Sequence, residues 1–289
     1  MKARVGCVPC YLKQALSAAR EVTDDPELQL KVLRAVAEKA PYYSLEATPA
    51  ENSTYALWLV NEVLDCADPF RLKKEAYNQL ALKAYERLRG IVDTSEDGLR
   101  TAVQIAAAGN IVDLGILREV DVEAALAEAL TSGLAIDDFS EFARVLSPAR
   151  RVLYLGDNAG EIVFDRILIE TFRDKDVIFA VKGAPILNDA TLEDAWAVGM
   201  DKVAEVISNG SPMIGTNLQT CSPEFQREFW AADLIISKGQ GNFETLDGVE
   251  APLFFILRAK CEEVANELGI KAGDLVLVEG TSRKKRQET

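Results

Sequence analysis

Hydrophobic positions follow two different rhythms along this chain, and the change falls near residue 150. From residue 11 to residue 147 they recur at helical spacing. Leu28, Leu30, Val32, Leu33 and Val36 mark one amphipathic helix over Pro26–Lys39. Thr54–Leu64, Phe70–Leu88 and the alanine-rich, acidic Asp121–Leu130 read the same way. Gly90, Gly98, Gly109 and Gly133 punctuate the series, and no alternating strand pattern interrupts it. From Arg150 onward, short apolar runs take over: Arg151–Gly156, Val177–Gly183, Val203–Gly210, Asp233–Gly239 and Asp274–Gly280. Helix-like segments at Glu161–Phe172, Leu192–Val198, Ser222–Ala231 and Pro252–Leu268 separate them. Continuous apolar runs are expected of parallel strands buried on both faces. Repeated strand–helix units then predict an α/β fold with a doubly wound, mostly parallel sheet and right-handed crossovers. The division expected is an α-helical domain over 1–148, an α/β domain over 149–281 and a polar tail over 282–289. Arg283–Arg286 makes that tail basic, as a solvated end would be.

Composition narrows the chemistry. None of the 289 residues is histidine. A Ser-His-Asp triad, a Cys-His pair and every His-ligated metal site are therefore excluded. The 46 acidic residues outnumber the 32 Lys and Arg, for a net charge of −14. That balance argues against nucleic acid and anionic membranes as partners, since both attract basic surfaces. No apolar run reaches the roughly 18 residues of a membrane span. The opening Met1-Lys2-Ala3-Arg4 leads into a cysteine pair and not an apolar signal segment. The expected location is the cytoplasm, and the oligomeric state is left open. Five cysteines are too few and too odd in number for a disulfide framework. Cys7-x-x-Cys10 could supply half of a thiolate metal site or a redox pair, while Cys66, Cys221 and Cys261 are scattered.

In an open α/β sheet, ligands bind at the carboxyl ends of the strands. Four successive strand ends here carry glycines and polar groups. They are Asp157-Asn158-Ala159-Gly160-Glu161, then Lys182-Gly183 with Asn188-Asp189, then Asn209-Gly210-Ser211, and last Lys238-Gly239-Gln240-Gly241-Asn242. Asp157, Asn158 and Asp189 offer only oxygen donors, which suit a hard divalent cation with open positions for water and substrate. Each of the three could instead cap the helix that follows it. Lys238 offers a point charge, and Gly239 and its neighbours offer backbone N–H donors, the groups a phosphate requires.

These segments resemble the signatures of the DUF89 family of metal-dependent damage-control phosphatases, in its short archaeal-type branch. The matching stretches are Gly156-Asp157-Asn158-Ala159-Gly160-Glu161, Lys182-Gly183-x-Pro185-Ile186-Leu187-Asn188-Asp189 and Ser237-Lys238-Gly239-Gln240-Gly241-Asn242-Phe243-Glu244. Cys7-x-x-Cys10, Asp68-Pro69-Phe70-x-x-x-Lys74-x-x-x-Asn78 and Ala108-Gly109-Asn110-Ile111-Val112-Asp113 agree as well. The resemblance covers residue 7 to about residue 245. It implies a helical N-terminal part packed on a Rossmann-like sheet, with the active site between them. It implies a metal (Mg²⁺, Mn²⁺, Co²⁺ or Ni²⁺) on Asp157, Asn158 and Asp189, and Lys238 against the phosphate of a small phosphorylated metabolite. Asn110 and Asp113 are expected to face the same cleft. Gly239, Asn242 and Lys182 complete the substrate-side candidates. The Arg-Thr-x-Lys signature of the longer eukaryotic relatives is missing, so their substrates do not transfer.

The reaction expected is hydrolysis of sugar-phosphate-like monoesters by a metal-activated water, with Glu161 or Asp113 as its carboxylate base. No Asp-x-Asp nucleophile follows that first strand, because Asn158-Ala159 follow Asp157. Two alternatives stand beside it. One is an S-adenosylmethionine-dependent methyltransferase, although the first turn lacks a Gly-x-Gly fingerprint and the second strand ends in lysine where an acid would hold ribose. The other is a non-catalytic metal- or metabolite-binding protein.

Overall fold

The computed structural model describes residues 1–109, 131 and 133–280. The helix expected at Asp121–Leu130, the candidates Asn110 and Asp113, and the tail over 282–289 lie outside the described residues.

The first half is helical as its periodicity predicts. Helices α1 (Val8–Val22), α2 (Pro26–Glu38), α3 (Pro49–Leu64), α4 (Arg71–Thr94) and α5 (Gly98–Ala108) follow one another. Local chemistry sets their starts. Asp25, Thr48 and Asp97 each accept a first-turn backbone N–H, and Pro26 and Pro49 occupy the first helical position. Gly90 does not end its helix: α4 runs through it to Thr94. The helical half also yields one strand that its pattern hides, the two-residue β1 (Ile136–Asp137), followed by α6 (Phe139–Leu146).

The second half alternates β2 (Arg151–Leu155), α7 (Glu161–Ile169), β3 (Asp176–Val181), α8 (Leu192–Ala197), β4 (Glu205–Ser208), α9 (Pro223–Ala231), β5 (Leu234–Lys238), α10 (Gly239–Leu246), β6 (Leu253–Arg258), α11 (Glu262–Leu268) and β7 (Leu275–Glu279). The seven strands form one sheet in the order β1-β7-β6-β5-β2-β3-β4. Every neighbouring pair is parallel except β6 and β7. Two sequence expectations are corrected here. Pro252–Leu268 is not one helix but strand β6 followed by α11 of seven residues. Its LFFIL core is buried on both faces, and a short apolar run of that kind has no diagnostic period. The last run, β7, is antiparallel to its neighbour and not parallel.

Both faces of the sheet are covered. On β2, Val152 and Tyr154 enter a core shared with Tyr77 of α4, Ile105 of α5 and Phe164 of α7. Leu153 and Leu155 point the other way, to Phe225 of α9, Phe243 of α10 and Val264 of α11. The alanines and Gly109 at the end of α5 let it lie close on α7, since a Cβ at Gly109 would overlap the Phe164 ring. Helices α1 to α3 build a third core around Tyr11, Ala15, Val36 and Val60. Ile186 and Ile214, from loops at the sheet's carboxyl edge, close that core. Strand order reverses at β2, which has β3 on one side and β5 on the other. The crevice expected there is roofed by α1 and α3. Among the described residues, no helix is long and apolar enough to cross a membrane.

Candidate active site

The cleft between α1, α3 and the sheet edge has a volume of about 300 Å³. Asp157, Asn158 and Asp189 form its floor, and Tyr11, Ser53 and Phe70 line the helical side. The three floor residues meet because two loops pair through their backbones. Asn158 and Asp189 form an isolated antiparallel bridge. Ala159 donates to the Asn188 carbonyl and Ala190 to the Asp157 carbonyl, each at 2.8 Å. None of the three caps a helix. Gly160 begins α7 without a side-chain cap, and Thr191 with Asp194 forms the capping box of α8.

The turn after β2 is also held from above. Asn78 on α4 accepts the Gly160 N–H at 2.7 Å and donates to Asp194 at 2.9 Å. Lys74, one turn earlier, pairs with Asp68 at 3.0 Å and with Asp194 at 3.3 Å. The Asp68, Lys74 and Asn78 pattern read from the sequence therefore ties both floor loops to the helical half. Gly160 has φ +80, and a Cβ on it would press against the Tyr77 backbone, so the turn admits only glycine.

Electrostatics dominate the floor. Asp157, Glu161, Asp165 and Asp189 are buried carboxylates, and Lys182 and Lys238 are the buried ammonium groups among them. Burial first, then the neighbouring Asp189 and Glu161, push the Asp157 carboxyl far above the usual carboxylate range. Burial also raises Asp165. Lys238 is 0 % exposed. Burial alone would lower its proton affinity, but Asp165 and Glu161 outweigh that and raise it, so it stays charged. It donates to Glu161 Oε1 and Asp165 Oδ1, both at 2.6 Å, and Tyr154 donates to the same Asp165 oxygen at 2.8 Å.

The structure thus places the sequence candidates unequally. Asp157, Asn158 and Asp189 converge. Lys238 does not line the cleft; it lies beneath the floor, with both partners dry. Glu161 is 1 % exposed and accepts Asn158 Nδ2 at 3.0 Å. It therefore orients an amide. Lys182 pairs with Asp189 at 3.5 Å and donates to the Gly215 carbonyl. Asn242 is buried, and its Nδ2 donates to the Lys238 carbonyl at 2.8 Å. Gly239 touches the site with its backbone: a Cβ there would overlap the Asp157 carboxylate.

A divalent metal fits this donor set. At this floor the four buried carboxyl groups outnumber the two buried ammonium groups, and a dication would hold the surplus pair in its ionised form. Asn158 spends Nδ2 on Asp157 and Glu161, so its Oδ1 is the atom left to ligate. Among the described residues, no group of three or more Asp, Glu, Cys or His could cage an ion by itself. Two carboxylates and an amide suit a metal that keeps open positions.

Sequence reasoning missed part of the cleft's far wall, Lys260 and Cys261. They line it together with Gln240, Glu244, Cys7 and Cys10. All five cysteines are free thiols, and burial raises Cys7 and Cys10 above the usual thiol range. Only the β6–α11 turn, which the predicted helix over 252–268 concealed, brings Lys260 and Cys261 here. Glu244 accepts Gln240 Nε2 at 2.8 Å, and burial pushes its carboxyl up to about 7. Folding therefore retains a proton that the unfolded chain releases. The contribution of Glu244 to stability is full below its unfolded value near 4.5 and is lost as pH rises through about 7. We expect the stability gap between wild type and Glu244→Gln, read by urea unfolding, to move by about 2–3 kcal/mol between pH 5 and pH 8 in the variant's favour. A gap that does not move with pH would place this carboxyl in water.

Similarity to known proteins agrees with the geometry. A sequence profile for the damage-control phosphatase ARMT1-like domain matches residues 3–276. An uncharacterized protein of Methanocaldococcus jannaschii is 38 % identical over 290 residues, covering 96 % of this chain and 95 % of its own. A damage-control phosphatase of Pyrococcus horikoshii is 35 % identical over 286 residues, covering 96 % and 97 %. A crystal structure of a DUF89 family protein from P. horikoshii superposes with a TM-score of 0.89 at 34 % identity, covering 97 % of this chain and 99 % of that one. The chain belongs to the damage-control phosphatase ARMT1-like, or DUF89, family.

Proposed function

We propose that this protein is a phosphatase that hydrolyses small phosphometabolites, of the sugar-phosphate kind, with a divalent metal held by Asp157, Asn158 and Asp189. The observation that carries this reading is the floor of the cleft, where more buried carboxyl than ammonium groups and an available amide oxygen meet at the sheet's switch point. The name of the P. horikoshii relative supports the reaction class. A bound divalent ion would lower the pKa of a water and neutralise charge on the phosphoryl group. The chain's own residues do the rest. Lys238 fixes Glu161, and Glu161 fixes the Asn158 amide. Backbone N–H groups near Gly239 and Gly241 offer donors to phosphoryl oxygens. The cleft, about 300 Å³, is sized for a small metabolite. The methyltransferase alternative loses ground because Lys182, where ribose would need a carboxylate, spends its charge on Asp189.

The test uses chelator-stripped protein with Mg²⁺, Mn²⁺, Co²⁺ or Ni²⁺ added back singly. Phosphate release is measured from p-nitrophenyl phosphate and a panel of sugar phosphates. We expect release that needs added metal. Release undiminished in excess chelator, or none with any metal, would overturn the proposal.

A further inference from the structure

Two carboxyls on the first turns of α7 share one ammonium. Glu161 Oε1 and Asp165 Oδ1 both accept from Lys238 Nζ at 2.6 Å. Residues four apart on a helix lie on one face, so α7 presents the two acids to β5 together. Lys238 offsets one of them, and the trio, ionised, keeps one surplus negative charge.

Asp165 is the member whose charge local packing does not explain. It is 0 % exposed, as is Tyr154. Its Oδ1 accepts from Lys238 and, at 2.8 Å, from the Tyr154 hydroxyl. Its Oδ2 meets no hydrogen-bond donor among the described residues. Burial, opposed by Lys238, pushes the carboxyl up to about 6, so near neutral pH it is ionised at a cost. An asparagine oxygen could accept the same two hydrogen bonds without the charge. A buried charge that its own contacts do not require points to an interaction beyond them.

The network leads to the floor of the cleft. Glu161 Oε2 accepts from Asn158 Nδ2 at 3.0 Å, and Asp157 Oδ2 accepts from the same nitrogen at 2.8 Å. From Tyr154 through Asp165, Lys238, Glu161 and Asn158 to Asp157, every link is a hydrogen bond between side chains. Asp165 and Lys238 are 0 % exposed and Glu161 is 1 % exposed, so little solvent screens a charge placed there.

We propose that Asp165 supplies, from beneath the floor and without touching the metal, part of the negative field that holds a divalent ion on Asp157, Asn158 and Asp189. The proposal rests on the metal site proposed above but not on turnover. Asp165 is neither a ligand nor a catalytic residue. Tyr154 and Lys238 hold it in place.

The test is calorimetric binding of Mn²⁺ to the chelator-stripped full chain at pH 8, in wild type, Asp165→Asn and Tyr154→Phe. Urea unfolding of the same metal-free proteins accompanies it. Asp165→Asn should weaken Mn²⁺ binding by roughly tenfold or more. Its unfolding midpoint should stay at or above that of wild type, because the trio becomes neutral and Lys238 and Tyr154 keep an acceptor. Tyr154→Phe keeps the charge and the ring stacked on Phe179, and it should bind Mn²⁺ nearly as tightly as wild type. Lys238 of β5, Tyr154 of β2 and Glu161 of its own helix are the titratable groups facing Asp165. The wild-type advantage over Asp165→Asn should shrink as pH falls through about 6, where wild type also loses the charge at this position. Unchanged Mn²⁺ affinity in Asp165→Asn would overturn the proposal. An equal loss in Tyr154→Phe would trace the effect to geometry and overturn it too, as would an Asp165→Asn chain that fails to fold, since packing would then need the charge. Wild type that binds no divalent ion would sink the metal site first, and this proposal with it. Wild type that binds Mn²⁺ but hydrolyses no ester would fail the phosphatase reading alone, and the affinities would still decide the role of Asp165.

Discussion

Asp157→Asn should abolish metal-dependent hydrolysis, by about 10³-fold or more, and leave a protein at least as stable as wild type. The two halves of this expectation share one cause. Asp157 is 6 % exposed and stands beside Asp189 and Glu161 on the cleft floor, so its charge costs the fold energy while it serves a ligand. Asparagine keeps the size of the side chain. It also keeps an oxygen that can accept from Asn158 Nδ2, as Asp157 Oδ2 does at 2.8 Å. What it removes is the negative charge a dication needs. Thermal unfolding of the metal-free proteins should show the variant melting at or above wild type. Calorimetry should show metal affinity lost. A variant that turns over normally with metal would refute the ligand set, and one that melts well below wild type would refute the claim that this charge is held at a cost.

The second large effect concerns stability. Lys238→Met should cost about 3–5 kcal/mol, the usual loss when one partner of a buried ionic cluster is removed. Methionine fills most of the space, so a cavity contributes little. The damage comes from Glu161 and Asp165, each left facing a partner that no longer carries charge. Midpoint temperature should fall by on the order of 10 °C. Activity should fall with it, because Glu161 is the acceptor that orients the Asn158 amide. Adding Asp165→Asn to Lys238→Met should recover part of the stability, since the two positions share one network. A Lys238→Met protein as stable as wild type would show that the cluster contributes nothing net.

The same lysine shows how far the sequence was legible. Its position at a strand end, before glycines, was readable, and so was its proximity to the candidate loops. Its direction was not. Lysine at the end of a strand can point up into a crevice or sideways beneath α7, and the pairing of Lys238 with Glu161 and Asp165 of α7 shows the second. Pro252–Leu268 misleads in a related way. Leu253–Leu257 is buried on both faces of the sheet and so has neither the period of a helix nor that of a half-exposed strand. The reading that joined it to α11 hid the turn carrying Lys260 and Cys261. Gly90 was legible as a glycine but not as a tolerated one, because α4 has packing on both sides of it to carry the helix through.

By itself, the sequence determined the class of this protein. Two apolar rhythms, one helical and one of short continuous runs, set a helical half beside a mostly parallel sheet, and the glycine-ended runs placed the chemistry at the strand ends. The absence of histidine restricted that chemistry to carboxylates, amides, lysines, arginines and cysteines. Local periodicity and residue type carry such information because they follow from the geometry of one strand or one helix. Tertiary structure alone decided which of these groups meet. The pairing of Asn158 with Asp189 and the burial of Lys238 are contacts between segments 31 and 77 residues apart. The Asn78 clamp on the Gly160 turn joins segments 82 residues apart. Each depends on how whole elements pack, and no spacing along the chain encodes it.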